Sequence, residues 1–295
     1  MLEFKKPEIS DMGWIKNAMR SSGDMACEYC FGNLYMWTEI YDNTVADYNG
    51  ILLARDGTER PMYLYPCGQG DKKAAINELI DFSKNDGYPL EMYCLTPDKV
   101  RELEAMFPDK FEFIEMREYF DYIYFSEDLG NLAGRKYHAK RNHISYFKNN
   151  YNWQYEKISE QNIDECIKMN DAWEKANREY DDGSLTEERK AILRAFSQFS
   201  ALGLVGGLLR KDGEVVAYTF GEPINDKVFC THVEKAFADI RGAYPMINQQ
   251  FCLNELMSYK YINREDDTGD EGLRQAKQSY YPAILLPKFR AVYKG

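Results

Sequence analysis

Read for periodicity and turn signals, this chain runs through nearly the same order of elements twice, and that order limits what it can fold into. In the first half Ser10-Asp11 caps a helix over 12–20, and a second helical stretch follows over 33–39. Strand-like runs come next at 43–47, 50–55 and 61–66, the last two joined by a turn at Asp56-Gly57. After Gly68-Gln-Gly70 the pattern gives a helix over 71–84, a strand over 90–95, a Pro97-started helix over 98–107, and strands over 111–116 and 120–125. The second half has a strand over 153–158, helices over 160–175 and 186–199, and strands over 204–210, 215–222 and 228–233. Lys211-Asp-Gly213 and Asn225-Asp226 are the hairpin signals between those strands. A loop over 234–244, a helix over 245–259, a strand over 261–264, a helix over 271–279 and strands at 283–286 and 289–293 complete the chain. The halves share element order without a residue-level repeat. The expected fold class is α+β: two tandem domains, each a mixed, mostly antiparallel sheet flanked by helices. The expected boundaries are 1–130, a basic linker helix over 131–150, and 151–295.

A chain of 295 residues, 44% hydrophobic and 15% aromatic, can bury cores of that size. It has no apolar run of the roughly 18–20 residues a membrane-spanning helix needs, and no apolar leader, so a cytoplasmic location is expected. Seven cysteines at irregular spacing are not a disulfide framework. The pair Cys27-Glu-Tyr-Cys30 lacks a second pair or nearby histidines to complete a zinc tetrahedron, so no metal site is expected and buried thiols are.

The formal net charge of −11 opposes indiscriminate binding to nucleic acid, so an anionic partner has to be met by a local patch. The best patch is Gly134-Arg-Lys-Tyr-His-Ala-Lys-Arg-Asn-His-Ile-Ser-Tyr-Phe-Lys148, with five Lys/Arg, two of the three histidines and no carboxylate. Helical spacing puts Tyr137, Ile144 and Phe147 on one face and Lys136, Lys140 and His143 on another. Such a helix docks on the protein and offers its charge, with Arg141, to donor phosphates; the alternative is a solvated linker paired with surface carboxylates.

Two further stretches carry chemistry. Glu234 falls just past a strand, and the helix entry at Arg241-Gly242-Ala-Tyr244 suits a phosphate or an oxyanion, because helix starts present free N–H groups. An ordinary helix start with Pro245 in the first turn explains the same residues. In Arg264-Glu-Asp-Asp-Thr-Gly-Asp-Glu-Gly-Leu-Arg-Gln-Ala-Lys277, five carboxylates within seven residues need cations, which Arg274 and Lys277 supply. Gly269 and Gly272 permit a tight turn. Asp266 or Asp267 suits a base or an amine holder, with Lys277 facing the oxygen of a tetrahedral intermediate. A solvated turn is the competing reading. Three histidines leave little room for a Ser-His-Asp or Cys-His arrangement, and His232, inside a strand, reads as core. Direct attack of a bound acceptor on a bound acyl ester is the simplest chemistry left.

The run Asp128-Leu-Gly-Asn-Leu-Ala-Gly-Arg-Lys-Tyr-His-Ala-Lys-Arg-Asn-His143, with Arg241-Gly-Ala-Tyr-Pro-Met-Ile-Asn-Gln-Gln-Phe251 and the stretch from Asn263 to Tyr280 and Pro282, resembles the DUF2156 group. These are soluble proteins similar to the C-terminal catalytic domain of phosphatidylglycerol lysyltransferase. The element order is also that of the GNAT acyltransferase fold. The resemblance implies two fused GNAT-like domains, related in fold to Fem-type transferases, moving an aminoacyl group from aminoacyl-tRNA to an amine or hydroxyl. It implies no tightly bound cofactor, aminoacyl-tRNA as co-substrate, tRNA as a partner, and a small-molecule or peptide acceptor. An acyl-CoA-dependent N-acyltransferase and an inactive module binding RNA or peptide are the alternatives.

Overall fold

The computed structural model describes residues 2–177 and 183–295. It is α+β, with two mixed, mostly antiparallel sheets flanked by helices, as the element order predicts. By contact the chain separates into two compact units: one comprises Met1–Tyr122, Glu265–Lys277 and Ile284–Gly295, the other Ile123–Arg264 and Gln278–Ala283.

The strands of the first half are β1 (Thr44–Tyr48), β2 (Ile51–Arg55), β3 (Met62–Leu64), β4 (Cys67–Gly68), β5 (Glu91–Leu95), β6 (Phe111–Glu115) and β7 (Asp121–Phe125). Those of the second are β8 (Trp153–Lys157), β9 (Val205–Lys211), β10 (Glu214–Pro223), β11 (Val228–Ala236), β12 (Tyr261–Asn263), β13 (Ile284–Leu286) and β14 (Phe289–Tyr293). In the first unit the strand order is β1-β2-β3-β5-β14-β6, with β4 on β2. Asn49 and Gly50 turn the β1–β2 hairpin at φ of 50° and 86°, the left-handed pair that a tight hairpin needs. The helix Lys72–Asn85 starts where Asp71 accepts the Ala74 N–H, and it buries Ala75, Ile76 and Leu79. These pack with Ile51, Leu53, Tyr63, Met92, Leu103 and Ala291 in one core. Each large aliphatic side chain removed from water there contributes about 1.5–3 kcal/mol.

In the second unit β11, β10, β9 and β8 follow one another antiparallel, β12 joins β11 in parallel, and Ile123–Phe125 of β7 pairs antiparallel with β12. The compact units therefore do not follow the boundaries at 130 and 150. The last strand, β14, lies between β5 and β6 with Phe289 opposite Leu95 and Glu115, so the C-terminal strand completes the first unit's sheet. The acid-rich turn goes with it, since the Tyr122 N–H bonds the Glu265 carbonyl. Nor is the basic stretch a linker. It folds as the helix His138–Asn150 inside the second unit, with Tyr137, Ile144 and Phe147 buried on the face its spacing predicts. Among the described residues no helix is long and apolar enough to cross a membrane.

Candidate functional site

The acid-rich turn belongs to the first unit, and the structure separates its two central aspartates sharply. Asp267 is fully buried. Its Oδ2 accepts from the Tyr122 hydroxyl (2.6 Å), Arg274 Nε (3.0 Å) and Arg117 Nη1 (3.1 Å), and its Oδ1 from Arg274 Nη2 (2.9 Å) and the Gly269 N–H (3.0 Å). Burial pushes this carboxyl up, but the bonds from Arg274, Tyr122, Gly269 and Arg117 outweigh it and hold the group well below the carboxylate range. A carboxylate so fully engaged is an anchor and a poor base. The neighbouring acids are also committed. Asp270 caps the helix Glu271–Gln278 by accepting the Leu273 N–H, Glu271 reaches Arg274, and Glu265 accepts from Asn33. The chain bends through positive φ at Glu265, Thr268 and Gly269, and only the last of these is a residue that adopts it freely. Gly272 sits in the helix and needs no such freedom.

Asp266 is different. It is half-buried, and its Oδ1 accepts the Thr268 N–H. Burial, joined by the negative charges of Asp121, Glu265 and Glu28, pushes its carboxyl up to about 7 against the pull of Lys288. Adjacent aspartates pushed in opposite directions are the signature of divided roles. Lys277 is buried and donates to the Asp266 backbone carbonyl, tying the helix Glu271–Gln278 to the turn.

Beside this turn lies a buried charge cluster that the sequence analysis passed over. The Lys288 ammonium contacts Glu28 Oε1 and Oε2 (2.8 and 2.7 Å), Asp121 Oδ1 (2.7 Å) and Cys27 Sγ (3.5 Å). The Cys94 thiol donates to Glu28 at 3.1 Å. Burial opposes the charge on Lys288, but Asp121, Cys27 and Glu28 hold the ammonium well above its ordinary value. Cys27, Glu28 and Asp121 have the donor set of a metal site, and this ammonium supplies its cation. With two carboxylates against one ammonium the cluster is net negative. Its carboxylates add to the burial that pushes the Asp266 carboxyl up, and its ammonium opposes them. A lone lysine in the apolar run Ile284-Leu-Leu-Pro-Lys-Phe289 was the one sequence signal for it.

The remaining predicted residues are in the second unit. Glu234 lies inside β11 and not past its end; Oε1 accepts from Arg264 Nη2 and Oε2 from Asn248 Nδ2, both at 2.9 Å. Lys140 is half-buried, 2.7 Å from Ser279 Oγ and 3.9 Å from the centre of the Tyr280 ring. Burial, with Arg264 nearby, brings its amine down to about 8. Lys136 is exposed, 3.4 Å from Asp128, and His143 is exposed. Arg141 donates from Nη1 to the carbonyls of Leu132 and Gly134, closing the loop before the basic helix. Arg241 stacks on Tyr146 at 4.2 Å.

Gly242 has a packing role. At φ 91° it caps the helix Ala243–Phe251, and a Cβ there would meet the His143 carbonyl at 2.4 Å and Phe147 Cβ at 3.1 Å. The basic helix therefore packs closely against Gly242 at the start of that helix. Gly242→Ala should destabilise the protein by about 1–3 kcal/mol through backbone strain and overpacking. Urea unfolding checks it; a midpoint within error of the parent rules out this packing role. His232 is core, 3.3 Å from buried Glu222, and all seven cysteines are buried and free.

A conserved protein of unknown function from Bacteroides thetaiotaomicron is 40% identical, covers all of both chains and superposes with a TM-score of 0.95. The C-terminal domain (DUF2156) of a putative lysylphosphatidylglycerol synthetase from Agrobacterium fabrum, 14% identical over 98% of this chain and 93% of that one, has the same fold at a TM-score of 0.69. An uncharacterized protein of Mycoplasmoides gallisepticum is 23% identical over 185 residues, and the chain spans about half the length (54%) of this curated relative. The family described as phosphatidylglycerol lysyltransferase, C-terminal, matches residues 20–292, and the chain belongs to that family.

Proposed function

We propose that this protein is an aminoacyltransferase that takes an aminoacyl group from aminoacyl-tRNA and passes it to an amine or hydroxyl acceptor. The observation that carries the reading is the unequal pair in the acid-rich turn: Asp267 locked as an anion, Asp266 poised near neutrality. In the transfer the acceptor nitrogen or oxygen attacks the ester carbonyl carbon, and the bond to the ribose oxygen breaks. The acceptor's proton goes to the Asp266 carboxylate, and the departing ribose oxygen takes one up. A base near the working pH accounts for about 10²–10⁴-fold, with positioning of the two substrates supplying much of the rest. Family membership supports the reaction class. The close approach of the His143 carbonyl to Gly242 leaves less room at that helix start for an acyl-CoA pyrophosphate.

The test is incubation with a mixture of charged tRNAs and a panel of amines, hydroxyl compounds and short peptides. Consumption of one charged tRNA, with a new acceptor conjugate by mass spectrometry, is expected, and titration with coenzyme A should give no heat. Saturable micromolar binding of coenzyme A, with every charged tRNA left intact, would reverse the assignment.

A further inference from the structure

Two cations meet on one aromatic ring in the second unit. Lys140 Nζ lies 3.9 Å and Arg264 Cζ 4.9 Å from the centre of the Tyr280 ring, which is itself buried. Glu234 at 2.9 Å neutralises Arg264. Lys140 has no carboxylate on it among the described contacts; its ammonium meets Ser279 Oγ, which uses one of its three N–H donors. The site thus carries one net positive charge, half-buried, in a protein of formal charge −11. Burial, and after it the like charge of Arg264, brings the Lys140 amine down to about 8 against the pull of Glu234. An anion beside Lys140 would relieve both costs. Asn248 contributes the orienting bond to Glu234 that holds the acid against Arg264.

We infer that Lys140, Arg264 and Ser279 form a binding site for a single phosphodiester, the monoanion that matches one net charge. Resting on the transferase reading, the inference assigns this phosphate to the single-stranded end of the donor RNA. The site differs from the helix-start cradle expected at Gly242, and it enlists Arg264 and Ser279, which the charge pattern of the basic helix does not reveal. A bound phosphodiester opposes loss of the Lys140 proton, so ligand binding and lysine titration are linked.

The test labels the lysines by reductive ¹³C-methylation and follows the Lys140 signal, assigned with Lys140→Gln, through a pH titration of the full chain. The probes are a trinucleotide with two phosphodiesters, inorganic phosphate, and phosphatidylglycerol vesicles. Saturable binding of the trinucleotide that moves the Lys140 midpoint upward by about one pH unit, with at least tenfold weaker binding in Lys140→Gln, is the expected result. No movement with any probe overturns the site. Movement with the vesicles alone overturns its assignment to RNA. Tight binding of inorganic phosphate, with none of the trinucleotide, rules out the diester. Because no probe is turned over, a failure here leaves the transferase reading intact, whereas absence of transfer with normal trinucleotide binding tells against that reading alone. Ser279→Ala, which removes a neutral partner, guards against a folding defect in Lys140→Gln: it should weaken the trinucleotide severalfold, and unchanged binding removes Ser279 from the site.

Discussion

Asp266→Asn is expected to lower the rate of aminoacyl transfer by about 10²–10⁴-fold while leaving the fold intact. The amide is the same shape as the protonated acid, keeps an oxygen for the Thr268 N–H, and cannot take a proton from the acceptor. The parent enzyme should gain activity as pH rises through about 7, where Asp266 ionises, and the variant should lose that limb. Stability gives an independent check with the opposite sign. A carboxyl whose folded value lies above its unfolded value binds more protons in the native state between about pH 4 and pH 7. Its contribution to stability is therefore present at low pH and is lost as pH rises through 7. Asp266→Asn should remove that decline, so the variant is at least as stable as the parent at pH 8. Single-turnover transfer and urea unfolding across pH 5–9 measure the two effects. Turnover within threefold of the parent at every pH would exclude Asp266 as the base.

How much of this was legible in the sequence follows from how local each signal is. Strand and helix positions come from periodicity and turn residues within a few places of one another, so β2, β14 and the helix Lys72–Asn85 lie where the patterns put them. The apolar face of the basic helix was legible for the same reason: Ile144 and Phe147 sit three residues apart, and both are buried. Sheet membership was not. Nothing in Phe289–Tyr293 says that its partners are Phe111–Glu115 and Glu91–Leu95 from the first half, because strand pairing depends on surfaces distant in the chain. The acid-rich turn was visible as a candidate, but the different surroundings of its carboxylates were hidden. Asp266 and Asp267 are equivalent in a sequence read locally; Arg117 and Tyr122, about 150 residues earlier, make one an anchor. Lys288 was lost in an apolar stretch, since its carboxylate partners stand at Glu28 and Asp121. Arg141 and Gly242 carry features that suit an anion, a cation and a small residue, and the loop closure and close packing they also provide depend on partners the local sequence does not show.

Asp267→Ala should be among the most destabilising single changes in the first unit, costing about 3–5 kcal/mol. Its carboxylate is fully buried and receives five hydrogen bonds, and its removal strands two guanidiniums and a tyrosine hydroxyl around a small cavity. The loss is greater than for an exposed ion pair, worth about 0–1 kcal/mol, because water cannot readily replace the missing acceptor. Asp267→Asn keeps the volume and one acceptor oxygen but turns two donors toward donors, so it should lie between parent and alanine variant. The pH dependence again identifies the group. A carboxyl held below its unfolded value adds stability that is complete above about pH 5 and falls away as the solution is acidified toward its folded value. The alanine variant should therefore show a shallower acid limb than the parent, whereas Asp266→Asn changes the slope between pH 4 and 7. Urea midpoints at pH 3.5, 5 and 7 separate these cases. A loss below 1 kcal/mol at pH 7 for Asp267→Ala would mean that the turn is held by other contacts. In that event the contrast with Asp266, on which the assignment of the base rests, loses its physical basis.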